Sequence, residues 1–442
     1  MKRYPKYKDS GIEWLGEVPE EWEVKKLKWI ARLEYGSSLS EEAREGGSVH
    51  VFGSNGIVGE HSKSITDKPV IIIGRKGSYG KISYSDVPCF PIDTTYYIDP
   101  CLTKGNIRWL YYVLSSMALD EITFDTGVPG LSREFAYGKI VPFPSKNEQT
   151  AIANFLDHKT AKIDELIKKN ETLVELLKEK RQAIISHAVT KGIPPHPNPL
   201  PRGERGLLHF PPPLMGGGEG EGVKRDLKMK DSWIEWRGEV PVGWEVKRLK
   251  YVANVNPEAL GETIPLDYEI RYVDISNVNE EGLIDESELM LFGDAPSRAR
   301  RIIKKEDVIV STVRTYLKAI AYFPMSESNL IVSTGFAVLR VSNIIKAKLL
   351  YYFVRSDFFV ESIMANSVGV SYPAINSSVL AGLPILVPPK NQQSEIIKFL
   401  DKQTKKYNDL MKKILSQTAT LKEYRQALIS NVVTGKVRVD EN

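Results

Sequence analysis

From Lys146 to Thr190 the chain runs without proline or glycine, and apolar residues return every three or four positions at Ile152, Leu156, Ile163, Leu166, Leu173, Leu177 and Ile184. That spacing predicts one long helix. Written in heptads, Leu156, Ile163, Asn170, Leu177 and Ile184 take position a, while Ile152, Leu166 and Leu173 take d. Asn170 interrupts the a row, and Lys159 and Lys180 also fall at d, so the stripe needs partners along its length. Its residues, about 45 at about 1.5 Å rise each, predict a helix roughly 65 Å long. Gly192 and Pro194 end it. A second stretch from Lys390 puts Leu400, Tyr407, Ile414, Leu421 and Leu428 at the same a positions, and Gly435 ends it.

Elsewhere the pattern is strand-like. Val70-Ile71-Ile72-Ile73 and Val308-Ile309-Val310 are short β-branched runs, each followed by a polar turn and another short strand. Alternation from Trp22 and from Trp244 predicts strands through Glu23-Val24-Lys25 and Glu245-Val246-Lys247. IRWLYYVL (107–114) and KLLYYFV (348–354) read as short buried helices. The non-helical parts are therefore mixed α/β, of the α+β kind.

These elements occur twice. Residues 9–34 and 231–256 are identical at 16 of 26 positions, where composition alone gives roughly one or two. The offset there is 222, but it is 244 for KNEQTAIANFLDHKT (146–160) against KNQQSEIIKFLDKQT (390–404), and for KEKRQAIISHAVT (178–190) against KEYRQALISNVVT (422–434). The 22 extra residues of the second copy thus fall in its middle. An intermediate offset of 238 between VIIIGRKGSYGKISY (70–84) and VIVSTVRTYLKAIAY (308–322) places 16 of them before residue 308. A period of about 200 residues is a duplicated domain with its trailing helix, not a solenoid. The boundaries read as 1–145 for a first domain, 146–190 for its helix, 191–230 for a linker, 231–389 for a second domain and 390–435 for its helix. The linker holds eight prolines and eight glycines, too many for a packed core. If the first helix leads from domain one to domain two, the second leads back. The expectation is an antiparallel coiled coil with a domain near each end and a pseudo-twofold axis.

Composition adds little by itself. Sixty Lys and Arg against 56 Asp and Glu leave +4, so no strong field marks a polyanion partner, although local basic loops can be offset by stretches such as Asn279-Glu280-Glu281 and Asp285-Glu286-Ser287-Glu288. Two cysteines, Cys89 and Cys101, exclude a disulfide scaffold and a multi-cysteine zinc site. No apolar run approaches the roughly 18 residues of a membrane span, and the start lacks a signal-peptide core. A cytoplasmic chain with no membrane association is expected.

No catalytic signature stands out. There is no phosphate-binding loop of the GxxxxGK type and no HExxH, and the six histidines are scattered. GGGEGEG (216–222) lies in the linker with no strand before it. Glu23-Val24-Lys25 and Glu245-Val246-Lys247 share the E-x-K form of some metal nucleases, but sit within strand alternation. The candidate chemistry lies in loops. Gly74-Arg75-Lys76-Gly77-Ser78-Tyr79-Gly80-Lys81 spaces glycines at every third position among three cations, which suits a phosphate backbone and equally a solvated hairpin. The second copy has Thr312-Val313-Arg314-Thr315-Tyr316-Leu317-Lys318, keeping cations and a tyrosine without the glycines. Nearby, Arg298, Arg300 and Arg301, with Lys304 and Lys305, form the densest basic cluster outside the linker. Thr126–Arg133 and Ser367–Tyr372 make a third pair of loops, which adds Arg133 and Tyr372. Two copies sharing a frame but differing in loops suit a linear repeating ligand. Duplex DNA fits, with phosphates positioning and bases specifying.

The repeated K-D-S-x-I-E-W-x-G-E-V-P-x-x-W-E-V-K-x-L-K block resembles the specificity (S) subunits of type I restriction–modification systems. Ile-Asp-Thr-Thr-Tyr-Tyr (92–97), Gly-Val-Pro-Gly-Leu (127–131), the K-N-x-Q-[TS] helix starts and the paired K-E-x-R-Q-A-[IL]-I-S segments carry the same resemblance. It covers the chain outside 191–230, a stretch the family usually passes quickly. The resemblance implies two target-recognition domains, each reading half of a bipartite double-stranded DNA target, with helices that dock two methyltransferase (modification) subunits. It implies that this chain carries no active site or cofactor. S-adenosylmethionine, ATP and Mg belong to the modification and motor-nuclease (restriction) subunits. No fixed DNA-contact residues transfer. The candidates are Arg75, Lys76, Ser78, Tyr79, Lys81, Arg133, Arg298, Arg300, Arg301, Arg314, Tyr316, Lys318 and Tyr372, with docking assigned to Leu156, Ile163, Leu166, Leu177, Leu400, Tyr407, Leu410 and Leu421. The competing readings are a self-contained metal-dependent nuclease using the E-x-K segments and a scaffold for two identical protein partners.

Overall fold

The β-branched runs become the central strands of two antiparallel sheets. In the computed structural model Val70–Gly74 lies between Thr95–Ile98 and Ile82–Ser85, with Glu34–Tyr35 outermost. Val308–Ser311 occupies the same place between Phe336–Val341 and Ile320–Tyr322, with Ala253–Val255 outermost. Both central strands are buried along their whole length, so neither shows alternation. The structure describes residues 2–12, 15–67, 69–117, 119–120, 130–193, 228–231, 238–261, 263–279, 282, 287–325, 329–369 and 372–439. Most of the 191–230 stretch, residues 121–129, the acidic positions 280–281 and 285–286, and residues 370–371 lie outside them, as do 13–14 and 232–237 of the repeated block.

The chain divides into two compact units, Met1–Thr172 with Ile414–Asn442, and Leu173–Lys413. In the first, Glu23–Lys26 pairs with Ile140–Phe143, and Val49–Gly53 joins Gly56–His61 and Phe90–Pro91 in a smaller sheet. In the second, Glu245–Arg248 pairs with Pro384–Val387. Its longer middle holds a four-stranded sheet in place of that smaller one, ordered Glu288–Leu291, Glu269–Val273, Leu330–Ser333 and Ala299–Ile302, with the parallel central pair matching Val49–Gly53 and Phe90–Pro91.

The helices are α1 (Ile107–Ser116), α2 (Arg133–Gly138), α3 (Lys146–Lys191), α4 (Ala347–Val354), α5 (Asp357–Ala365), α6 (Ser377–Gly382) and α7 (Lys390–Val433). Helices α1 and α4 are the two short apolar segments, and α3 and α7 are the two long periodic ones. Two polar nodes recur and account for much of the repeated sequence. Buried Gln149 donates to Pro144 O at 2.8 Å and accepts from Asn106 N at 2.7 Å, while Gln393 contacts Pro388 O at 3.0 Å and Lys346 N at 2.9 Å. Asp157 accepts from Tyr112 Oη and Arg108 Nε, both at 2.6 Å, and Asp401 accepts from Tyr352 Oη at 2.7 Å and Lys348 Nζ at 2.8 Å. Each node ties a long helix to the short helix of its domain.

Within each unit, segments of α3 and α7 lie side by side, and in the first they run oppositely. In the first unit Asp164 meets Arg425 at 2.8 Å and Asn170 meets Thr418 at 3.3 Å, so numbers fall along one helix as they rise along the other. In the second, Arg181 donates to Asn408 Oδ1 at 2.7 Å. The buried stripe differs from the expected a/d seam. Position a is buried at Leu156, Ile163, Leu400, Tyr407 and Leu428 and half-buried at Asn170, Leu177, Ile184, Ile414 and Leu421. Ile152 at d is buried, but beyond it the companions follow four residues after a, at Thr160, Ile167, Val174 and Arg181, and at Met411 and Thr418 of α7. Leu166 and Leu173, placed at d, are 49% and 43% exposed. Apolarity alone cannot say on which side of position a the neighbouring core lies. Here Leu428, Ile429 and Val432 join Ile163 and Ile167 on the a-plus-four side.

Candidate nucleic-acid interface

In the first unit the glycine loop closes tightly between its two strands, with Gly80 N donating to Gly74 O at 2.9 Å. Gly77 and Gly80 take left-handed φ values of +74° and +77°. A Cβ on Gly80 would stand 2.5 Å from the backbone of Leu119 and Asp120, so only glycine fits. Residues 130–133 lie along this loop: Leu131 N donates to Arg75 O at 2.9 Å, and Lys76 bridges Gly130. Two of the candidate loops thus form one surface.

An aromatic ring sits where they meet. The Arg133 guanidinium lies 4.1 Å from the centroid of Tyr35, and that of Arg75 lies 5.1 Å from the same ring. Tyr96 stands behind, its hydroxyl donating to Leu131 O at 3.2 Å, and burial followed by its hydrogen bond with Tyr35 pushes its phenol up to about 12. Arg75 is further held by two hydrogen bonds to Asp93 O, at 3.2 and 2.8 Å. Lys81 is committed to Asn55, donating to its backbone and side-chain oxygens at 2.8 and 2.7 Å. Lys76 and Ser78 are exposed, whereas the Tyr79 ring packs partly against the core.

The second unit builds the same junction from different residues. Ile375 N donates to Thr312 O at 2.8 Å, Arg314 N donates to Pro373 O at 2.9 Å, and Val313 bridges Ala374. The Arg314 guanidinium lies 4.9 Å from the Tyr372 ring. Tyr316 and Tyr372 are exposed. Arg314 and Lys318 both hold φ at +50° without being glycine. Lys318 aligns with Gly80 at offset 238, so the turn keeps its left-handed shape after losing its glycines.

The basic cluster is largely spoken for. Arg298 donates to Asp274 Oδ2 at 2.5 Å and to Tyr272 Oη at 3.3 Å, and Lys304 bonds Glu258 at 2.6 Å. Arg300 covers the Phe292 ring at 4.7 Å. Arg301 is half-buried with an unpartnered Nε, and burial pushes its pKa down. Arg300 and Arg301 lie in the edge strand Ala299–Ile302 and the others flank it, with Arg298 and Lys304 held in exposed ion pairs. The E-x-K segments are strands: Glu23 pairs with Lys25, and Glu245 with Lys247 at 2.7 Å, which lowers the Glu245 pKa. Among the described residues no group of three His, Cys, Asp or Glu side chains converges as a metal site, and no helix is long and apolar enough to cross a membrane.

The family model for the type I restriction modification DNA specificity domain matches residues 19–176 and again 241–418. The chain belongs to this family of type I DNA-specificity subunits. It is 22% identical to the type I restriction enzyme MjaIX specificity subunit of Methanocaldococcus jannaschii over 97% of this chain and 96% of that one. It is 20% identical to the EcoDI specificity subunit of Escherichia coli, over 96% and 90%. A solved chain from work on complex assembly and conformational transition of the type I R-M system shares the fold, with a TM-score of 0.64 at 14% identity, over 95% of this chain and 99% of that one.

For a specificity subunit, the residues assigned to docking divide in two. Leu156, Ile163 and Leu400 sit in the cores of their own units, where they hold the helices to the domains, and Tyr407 is buried. Leu177 and Leu421 are half-buried, and Leu166 and Leu410, equivalent at offset 244, face outward. Tyr35 is the residue that sequence reasoning passed over. It follows the repeated block directly, and its only signal is an aromatic side chain on a short edge strand.

Proposed function

We propose that this subunit reads a bipartite duplex DNA target, one half through each unit, and carries modification subunits on α3 and α7 that supply the chemistry. The reading domains are 1–145 and 231–389, with 146–190 and 390–435 as antiparallel coiled-coil spacers related by a pseudo-twofold axis and 191–230 as a tolerated insertion. The duplication in the sequence supports that symmetry. Docking falls to the outward row marked by Leu166 and Leu410. Methyl transfer with S-adenosylmethionine, and ATP-driven, Mg-dependent cleavage, belong to the modification and restriction subunits, and the complex acts in the cytoplasm.

One observation carries this reading. Each unit brings two loops together by the same backbone pairing and lays an arginine on a tyrosine at the junction, yet the residues differ. A common frame with unlike tips suits two half-sites of different sequence. The test is to replace residues 36–145 with those of a relative and to map methylated sites for the assembled complex. One half of the target should change while the other half and the spacing stay. A change in both halves overturns the two-reader model, and metal-dependent cutting by the isolated chain would favour a nuclease.

A further inference from the structure

Among the candidate cations that no acceptor holds in the described residues, two arginines alone rest on an exposed aromatic ring. Lys81 is bound to Asn55, Arg298 to Asp274 and Lys304 to Glu258, and Arg75 spends its guanidinium on Asp93 O. Arg300 covers a ring that is itself buried. Arg133 and Arg314 differ. Each lies over an exposed tyrosine, Tyr35 or Tyr372, at the loop junction, and among the described residues neither guanidinium has a carboxylate or other hydrogen-bond acceptor. The Arg133 Nε is enclosed without a partner, which leaves its hydrogen-bonding capacity at the terminal amino groups.

From this arrangement we infer that Arg133 and Arg314 are specificity-determining residues, each reading one guanine in its half of the target. This rests on the two-reader function proposed above. A guanidinium carries parallel N–H donors in a rigid plane, and their spacing matches guanine O6 and N7 in the major groove. Stacking on a ring fixes that plane before DNA arrives, so less rotamer freedom is lost on binding. A phosphate makes no such demand, because a mobile lysine serves it as a point charge. Lys76, which bridges Gly130 three positions before Arg133, and Lys318, four positions after Arg314, suit that role. The left-handed backbone at Arg314 points the same way: strain at a non-glycine residue persists where the conformation is used.

The experiment uses the full chain assembled with its modification subunits, and methylated sites are mapped for wild type, Arg133→Lys, Arg133→Gln, Arg314→Lys, Tyr35→Phe and Tyr35→Leu. Wild type should require a G·C pair at a fixed position in each half. Arg133→Lys and Arg133→Gln should each cut the preference for that pair by about 5- to 150-fold in one half only, and Arg314→Lys should do so in the other half. Tyr35→Phe keeps the ring and should keep specificity, while Tyr35→Leu should match Arg133→Lys. An unchanged melting temperature shows that each variant is folded. Binding that weakens equally on all sequences, with the salt slope falling by about one, makes these arginines phosphate contacts and overturns the inference. An unchanged target does so too. If the 36–145 exchange alters one half but Arg133→Lys does not, only the arginine assignment fails. If the exchange alters neither half, the two-reader function fails first.

Discussion

Trp22 Nε1 donates to Glu148 Oε2 at 2.9 Å, and Trp244 Nε1 donates to Gln392 Oε1 at the same distance. Each bond ties the repeated W-E-V-K block to the first turn of a long helix, joining the two ends of the repeat that are alike in both copies. Glu148 also accepts from Tyr4 Oη at 2.6 Å, and burial followed by that contact raises the Tyr4 pKa. Glu148→Leu strands an indole and a phenol and should cost about 1–3 kcal/mol in denaturant unfolding. Glu148→Gln, the residue of the second copy, should cost less than about 1 kcal/mol. Equal losses would show that Glu148 acts through packing alone.

Alkaline pH should weaken the fold at the Tyr112 node. Burial, then the hydrogen bond to Asp157, pushes the Tyr112 phenol up to about 12 from an ordinary value of 10. A folded-state pKa above the unfolded one means that the native state holds its proton longer. The stabilisation is complete below pH 10 and is lost as pH rises towards 12. Unfolding free energy followed over this window should fall less steeply for Tyr112→Phe than for wild type. Parallel slopes would remove Tyr112 from the cause.

Two aligned positions should respond oppositely to substitution. Lys318 holds a left-handed backbone that glycine adopts freely, so Lys318→Gly should leave stability unchanged or raise it by up to about 1 kcal/mol. Gly80→Ala places a Cβ against the Leu119–Asp120 backbone and should lose more than about 1 kcal/mol. Thermal melts of the two variants decide the matter. A marked loss in Lys318→Gly would show that its side chain, rather than its backbone, secures the turn.

The helix stripe makes a sharper contrast between neighbours. Ile167→Ala removes a buried side chain and should cost about 2–5 kcal/mol, whereas Leu166→Ala next to it should stay within about 0.5 kcal/mol. Leu166→Asp with Leu410→Asp should leave the melting temperature unchanged while weakening co-purification with modification subunits. Retained assembly would move docking off this row.

Much of the fold was legible because its signals are linear. The buried strands at Val70 and Val308, the helices from Lys146 and Lys390, and the short helices at Ile107 and Leu349 all announce themselves by local period and residue type. The loop candidates were legible as cations near glycine and tyrosine. Their ranking was not: Arg298 looked as promising as Arg133 until Asp274, 24 positions away, proved to hold it. A side chain's partners depend on which distant residues share its surface, and composition near it carries no such information.

The sequence by itself determined that one unit is used twice, where the two long helices, the short helices α1 and α4 and the two central strands lie, and that the copies differ in their loops, because identity and periodicity are properties of the chain read in order. Tertiary structure alone decided which face of α3 is buried, that Tyr35 lies beneath Arg133 although 98 residues separate them, and which cations remain free. Those outcomes turn on packing against a core assembled from remote segments. A one-residue choice there, Leu166 or Ile167, separates a surface open to partners from one that holds the domain to its helix.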